Sequence, residues 1–380
     1  MFVRRHVLVL SLGGLSALAA CTSTSAIPGA QLAPGHVVNV QPQTRSLLSE
    51  SSQRWLVSYI STSHAGQNTV VQGLIDLPKT PPPAGGYPVV SWGTGTTGVA
   101  PQCAPSLAAA PSRLEFQNVL LKQGYAVLRT DYEGWGAFAG RPDLEGRSNA
   151  YAMADLVTAA HALPIQLSNE WIAAGHSQGG GAAIWVASMK ERTPSYPLKA
   201  AVALAPTGPG VLKFLNDVAD GQPVSAGAQP FVAITALAAK VADPSIDLDK
   251  LTNPAMKSQI DAAKSTCIGG LFGMPVLQPG QYLKKGPDFE KMAKFFAAQD
   301  PAQLKLQVPL FIAQAEKDQT TVTPPTTRQM MGALCAKGAR IQYKEYPGQD
   351  HGSLIMASSA DSLRFISSAL SNQTLPNDCR

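Results

Sequence analysis

The chain has 380 residues, 45% hydrophobic and only 14% charged, which allows a large core in two domains or one elaborated α/β unit. Its formal net charge of +5 comes without a basic cluster beyond the N-terminus, so nucleic acid is not an expected partner. The 30 prolines and 33 glycines imply many turns but form no periodic tract.

Residues 1–20 read as an export leader. Arg4 and Arg5 precede an apolar run, Val7 to Ala20, that is too short and too rich in small residues to span a membrane. The run ends Leu18-Ala19-Ala20-Cys21, which resembles the bacterial lipobox, where cleavage precedes the cysteine and the cysteine carries acyl chains. Cys21 is then a lipid anchor to the membrane, and Thr22 beside it points to the outer membrane if the host is Gram-negative. Ordinary cleavage after Ala19 is the competing reading and gives a periplasmic or secreted protein. Residues 21–43, rich in Ser, Thr, Pro, Gly and Gln, read as a flexible tether. The four remaining cysteines are Cys103, Cys267, Cys335 and Cys379. An even count in an exported protein favours two disulfides, with three pairings open, and the spacing suits no metal site.

An α/β core is expected over residues 44–206 and 307–380. Trp55 to Ser61 and Thr69 to Leu77 alternate and form an antiparallel hairpin. Pro88 to Gly93 is a buried strand leading into Thr94-Gly95-Thr96. A helix over 112–123 starts from a Ser112-x-x-Glu115 capping box, and the strand Tyr125 to Asp131 follows. A helix over 150–163, the strand ending at His176, another helix and the strand Lys199 to Ala205 continue the alternation. That rhythm implies a mainly parallel central sheet with helices on both faces. It stops over 207–306, where helical patterns run without a convincing strand, and such a length implies an inserted helical cap. Within it Cys267 to Met274 reads as a glycine-rich turn. Val308 to Gln314, a helix near 326–337, Ile341 to Tyr346 and a last helix over 353–370 complete the core.

The chemistry centres on Gly175-His-Ser-Gln-Gly179, which follows an apolar run and precedes Ala182, Ala183 and Ala187. Strand, tight turn and helix are the context in which G-x-S-x-G is a nucleophile elbow, with Ser177 exposed at the top of the sheet. A serine needs a base, and the base needs a group to fix its tautomer. Of the six histidines only His351 lies beyond Ser177, in the loop after a strand. His176 adjoins the serine and is expected to point away from it. Asp318 is the preferred acid over Glu316, with Asp350 as a third candidate. The oxyanion hole is expected from the backbone N–H groups of Gln178 and Thr96.

The segments Gly95-Thr-Thr-Gly-Val-Ala-Pro-Gln-Cys-Ala-Pro-Ser106, Thr130-Asp-Tyr-Glu-Gly-Trp-Gly136, Gly175-His-Ser-Gln-Gly-Gly-Gly181 and those of Asp318 and His351 resemble the secretory lipase family of fungi and actinobacteria. The resemblance implies an α/β-hydrolase fold with a helical cap, hydrolysis of triacylglycerols or other esters without a cofactor, and a triad of Ser177, Asp318 and His351. It also implies that Cys103 pairs with Cys267 and Cys335 with Cys379. Thr94 departs from the family, whose members often carry His there; Asp131 and Glu133 read as structural.

Two rival readings stand beside a serine lipase or carboxylesterase. A serine peptidase of aminopeptidase type would use the same triad, with carboxylates such as Asp243, Asp247, Asp249, Asp288 or Glu290 holding the substrate ammonium. A non-catalytic surface protein would keep the fold and bind through the cap.

Overall fold

Nine extended segments among the described residues pair into one sheet: β1 (Val37–Gln43), β2 (Ser51–Thr62), β3 (Asn68–Pro78), β4 (Tyr87–Gly93), β5 (Ala126–Thr130), β6 (Leu167–His176), β7 (Leu198–Leu204), β8 (Leu310–Ala315) and β9 (Ile341–Tyr346). The computed structural model describes residues 32–107, 113–135, 140–320 and 322–379. The expected leader, Cys21, the tether up to residue 31, Ser112 and Gly136 lie outside the described residues. The sheet order is β1-β2-β3-β5-β4-β6-β7-β8-β9. The first three strands run antiparallel to their neighbours, and every pair from β5–β4 to β8–β9 is parallel.

Side chains alternate across a strand, so neighbours along the central strands enter two different cores. Trp171 and Ala173 of β6, Ala201 and Ala203 of β7, and Leu310 and Ile312 of β8 face one side. There they meet α2 (Gly146–His161), α3 (Gln178–Ala187) and α10 (Pro324–Cys335), through Met153, Leu156, Ile184, Val186 and Leu334. Ile172, Ala174, Val202 and Phe311 face the other side. Phe116 and Leu120 of α1 (Glu115–Lys122) cover them, with Phe365 and Ile366 of α12 (Ser359–Leu370). Burial on both faces is what lets the parallel strands be continuously apolar.

The stretch between β7 and β8 carries no strand of the sheet among the described residues. It holds α4 (Gly210–Ala219), α5 (Gln229–Ala242), α6 (Leu248–Leu251), α7 (Lys257–Ala263), α8 (Ile268–Leu271) and α9 (Pro287–Ala298). These helices bury a core of their own around Leu215, Val232, Leu251, Met256, Tyr282, Met292 and Phe296. Two disulfides are present. Cys103–Cys267 joins the loop after β4 to the insertion, and Cys335–Cys379 fastens the C-terminal segment to α10, with Cα atoms 5.4 and 5.2 Å apart.

Several expectations need correction. Residues 37–43 are not tether but an edge strand, held by backbone pairing to β2 while six of its seven side chains stay exposed. Helix α1 starts at Glu115 from Leu114, which offers no side-chain cap, and α2 starts four residues before the expected 150, capped by the Glu145 carboxylate on the Ser148 N–H. The 267–274 stretch forms the short helix α8 rather than only a turn. The last helix is broken at Ser358 into α11 (Leu354–Ala357) and α12.

The sheet and α3 touch at a backbone-to-backbone crossing that sets the site. A Cβ on Gly179 would lie 1.9 Å from the Gly93 carbonyl oxygen, and one on Gly175 would lie 2.2 Å from the Gly179 carbonyl oxygen. Neither contact can be relieved by a side-chain rotation, because the opposing atoms are main chain. Gly179→Ala is therefore expected to destabilise the fold by about 3 kcal/mol or more. Gly227→Ala, where a Cβ meets nothing within 4 Å, should leave the melting temperature unchanged. Thermal melts of the two variants check this; equal melting temperatures would contradict the crossing.

Candidate active site

Ser177 joins β6 to α3 with φ 58° and ψ −120°, a backbone conformation that L residues rarely adopt. Such strain, of order 1–3 kcal/mol, persists only when surrounding bonds fix it. Here the Ser177 N–H donates to Leu204 O at 2.9 Å, and the Ser177 carbonyl accepts from Gly181 N at 3.0 Å and Thr207 N at 3.1 Å. The Ser177 hydroxyl makes no hydrogen bond among the described residues. It sits at the N-terminus of α3, where the helix dipole favours negative charge.

His351 lies in the loop after β9. Its Nδ1 is 2.6 Å from Oδ2 of Asp318, whose side chain is fully buried, while the imidazole is 13% exposed. The other carboxylate oxygen of Asp318 accepts from the Thr320 N–H at 3.0 Å and hydroxyl at 2.7 Å. Both oxygens thus accept from donors, with Nδ1 of His351 as the ring nitrogen turned to the carboxylate. Glu316 instead accepts from the Gly348 N–H at 2.7 Å, and Asp350 from the Gly352 and Ser353 N–H groups at 2.9 and 2.8 Å. Neither of those carboxylates meets the imidazole.

His176 has a part that the sequence reading missed. Its Nε2 donates to the His351 carbonyl at 2.8 Å, and the two rings lie 4.5 Å apart. Burial, helped by the nearby His351 and Arg113, holds the His176 imidazole well below the ordinary histidine value. The ring stays neutral and adds no positive charge beside His351. The residue before the serine thus braces the loop that carries the proposed base.

The loop after β4 packs onto the elbow: a Cβ on Gly95 would lie 3.4 Å from Ser177 Cβ. Thr96 Oγ1 donates to the Gln178 side-chain carbonyl at 3.2 Å. The backbone N–H groups of Thr96 and Gln178 meet no acceptor among the described residues. The loop is further tied to the insertion by Ile268 N to Thr97 O at 2.8 Å and by Gln102 Nε2 to Ser265 O at 2.6 Å. Tyr132 supports it from beneath, donating to Thr94 O at 3.0 Å. Asp131, pushed up to about 6 by burial, accepts from the Ser106 N–H at 2.8 Å. No group of three or more His, Cys, Asp or Glu among the described residues is arranged to hold a metal.

Helices on both faces of a mainly parallel sheet, with a serine on the strand-to-helix turn and a histidine after β9 paired to a carboxylate after β8, define an α/β-hydrolase. The secretory lipase profile matches residues 113–378, and the chain belongs to that family. It is accordingly a carboxylic-ester hydrolase of lipase or esterase type. No curated protein matches the chain in sequence. Among solved structures it is similar to Candida antarctica lipase A in its closed state, at 18% identity and a TM-score of 0.73, covering 90% of this chain and 84% of that one. It is also similar to LipA of Xanthomonas oryzae, a rice cell wall degrading esterase, at 18% identity and 0.72, covering 90% and 100%. At such identities the likeness carries the fold alone.

The turn that holds Tyr132 has a pH-sensitive clamp. His64 Nδ1 and the His64 N–H both meet Glu133, each at 2.8 Å. The hydrogen bond to Glu133 raises the His64 value above its ordinary 6.5, outweighing burial. Protonation is therefore favoured by folding. The contribution is complete below 6.5 and is lost as pH rises through the raised folded value. The gap in melting temperature between the wild type and His64→Gln should be widest near about pH 5.5 and close by about pH 9. An equal gap at both would contradict a protonated clamp.

Proposed function

We propose that the chain hydrolyses lipid or other carboxylic esters through an acyl-enzyme on Ser177. Ser177 Oγ attacks the ester carbonyl carbon as its proton passes to Nε2 of His351. Asp318 keeps the imidazole in the tautomer that leaves Nε2 free and stabilises the imidazolium. The carbonyl oxygen, now negative, accepts from the N–H groups of Thr96 and Gln178, donors that cost no reorganisation because no acceptor among the described residues has taken them. Collapse of the tetrahedral intermediate expels the alcohol, protonated by His351. Water, giving a proton to the same nitrogen, then attacks the acyl-serine, and Ser177 leaves with that proton.

The observation that carries this reading is the 2.6 Å His351–Asp318 pair, in a loop braced by His176 against the strained turn of Ser177. Residues 207–306 are proposed as a cap over that edge of the sheet, with the disulfide from Cys103 to Cys267 tying it to the oxyanion loop. The peptidase reading is less favoured. Of the five carboxylates that reading would use, Asp247 and Asp288 already pair with lysines and Asp243 accepts from Ser245, which leaves Asp249 and Glu290. Two disulfides suit an oxidising compartment and support export, with Cys21 proposed as the lipidated N-terminus of the mature chain.

Purified enzyme should hydrolyse p-nitrophenyl butyrate or palmitate, and Ser177→Ala should lower kcat by about 10⁴-fold or more without unfolding. Activity on neither ester, or full activity of the variant, would refute the reading.

A further inference from the structure

Two charged residues that no step above uses sit behind the proposed oxyanion loop. Asp143 and Arg141, 0% and 2% exposed, form a buried ion pair with Arg141 Nε 2.6 Å from Asp143 Oδ1. The same carboxylate oxygen accepts from Gln178 Nε2 at 2.8 Å. The Arg141 guanidinium lies 3.7 Å from the Trp135 ring centroid and 5.1 Å from that of Tyr132, the residue whose hydroxyl holds Thr94. Asp143 Oδ2 and Arg141 Nη2 have no partner among the described residues, so the pair is expensive as a stabilising device.

We propose that Asp143 is a positioning residue for ester hydrolysis, setting the oxyanion loop through the side-chain amide of Gln178. The proposal rests on the assignment of the Thr96 and Gln178 N–H groups as the oxyanion donors. Its logic is a chain of polarities. An ionised carboxylate can only accept, so it takes the NH₂ end of the Gln178 amide. The amide oxygen is thereby turned to Thr96, and the Thr96 hydroxyl must donate to it, as it does at 3.2 Å. That hydroxyl is then committed to the fold, and the Thr96 backbone N–H is the donor left free at the elbow. One residue thus supplies an oxyanion donor from its backbone and, with its side chain, fixes the segment that supplies the other. Arg141 balances the charge that sets this direction.

The test measures kcat and KM on p-nitrophenyl butyrate per active site, with sites counted by complete titration with a fluorophosphonate, alongside the melting temperature. Asp143→Ala should lower kcat about ten- to a hundredfold, the range for a displaced oxyanion donor, with KM within about threefold of the wild type. Asp143→Asn keeps an acceptor oxygen for Gln178 and should retain kcat within about threefold. Thr96→Val cuts the same chain at its other end and should lose as much as Asp143→Ala. The double variant should lose less than the product of the two. A purely structural role predicts a lower melting temperature and fewer titrated sites, with kcat per site unchanged; that result overturns the proposal. So does a loss in Asp143→Asn equal to that in Asp143→Ala, or multiplicative effects in the double variant. If Asp143→Ala gives no folded protein, the remaining pair decides: a damaging Asp143→Asn or a harmless Thr96→Val overturns it. Full activity of Ser177→Ala would sink the acyl-enzyme reading and this one together, whereas an inert Ser177→Ala beside an unaffected Asp143→Ala removes this one alone.

Discussion

The site depends on one contact: main chain against main chain where β4 ends and α3 begins. With no Cβ at Gly175 or Gly179, the strand carrying Ser177, the neighbouring strand β4 and the first turn of α3 close to van der Waals distance. That closeness forces the chain between them through a positive φ, and the residue placed there is serine. The three backbone bonds of Ser177 hold the turn, and the N–H groups of Gln178, Gly179 and Gly180 behind it meet no acceptor among the described residues, as the first turn of a helix leaves them. Elsewhere in a protein such free donors are satisfied by a cap. At this turn no side chain among the described residues caps them, and they are the donors proposed for charge that develops at the serine.

Around that contact lie two imidazoles, and only that of His351 faces a carboxylate among the described residues. Asp318 is buried and faces His351 on one oxygen and Thr320 on the other. His176, in contact with the same loop, is kept neutral by burial. The loop after β4 is fixed on four sides: by Tyr132 below, Gln178 beside it, and the Cys103–Cys267 bond and the Ile268 N–H from the insertion. The segment proposed to bind the oxyanion and the helices proposed to cover the substrate are therefore one stitched unit rather than a rigid wall and an independent flap.

How much of this was legible from residues alone follows from the range of each signal. The elbow was readable because its constraint is local: an apolar run, glycines at fixed offsets and an alanine-rich helix all lie within twenty residues of Ser177. The central strands such as β4, β5, β7 and β8 were readable because burial on two faces leaves short apolar runs between turns, and β2 and β3 because their residues alternate. Strand β1 was not, since its side chains are exposed and only its backbone pairs, so no hydrophobic alternation marks it. The break at Ser358 left no trace either, as apolar residues continue on both sides of it. His351 could be singled out by chain order, but the choice between Asp318 and Glu316 rested on two residues in one turn. Only the three-dimensional path puts the imidazole on Asp318 and sends Glu316 to Gly348. Asp143 was invisible. It lies 35 positions before Gln178 in a stretch without periodicity, and only Arg141 of its two partners is near it in sequence. His176 stood in plain view inside the motif, yet its contact with residue 351 spans 175 positions and has no local signature.

The central claim is that the hydroxyl at 177, the imidazole at 351 and two free amides converge on one reacting atom. A crystal structure of the enzyme inactivated by a p-nitrophenyl phosphonate ester tests it most directly, because the phosphoryl oxygen occupies the place of the oxyanion. The account predicts phosphorus bonded to Ser177 Oγ alone, a phosphoryl oxygen about 2.7–3.1 Å from the N–H groups of Thr96 and Gln178, and His351 Nε2 within hydrogen-bond reach of the adduct. Phosphorus on another residue, or an adduct at Ser177 whose oxygen points away from both amides, would contradict it.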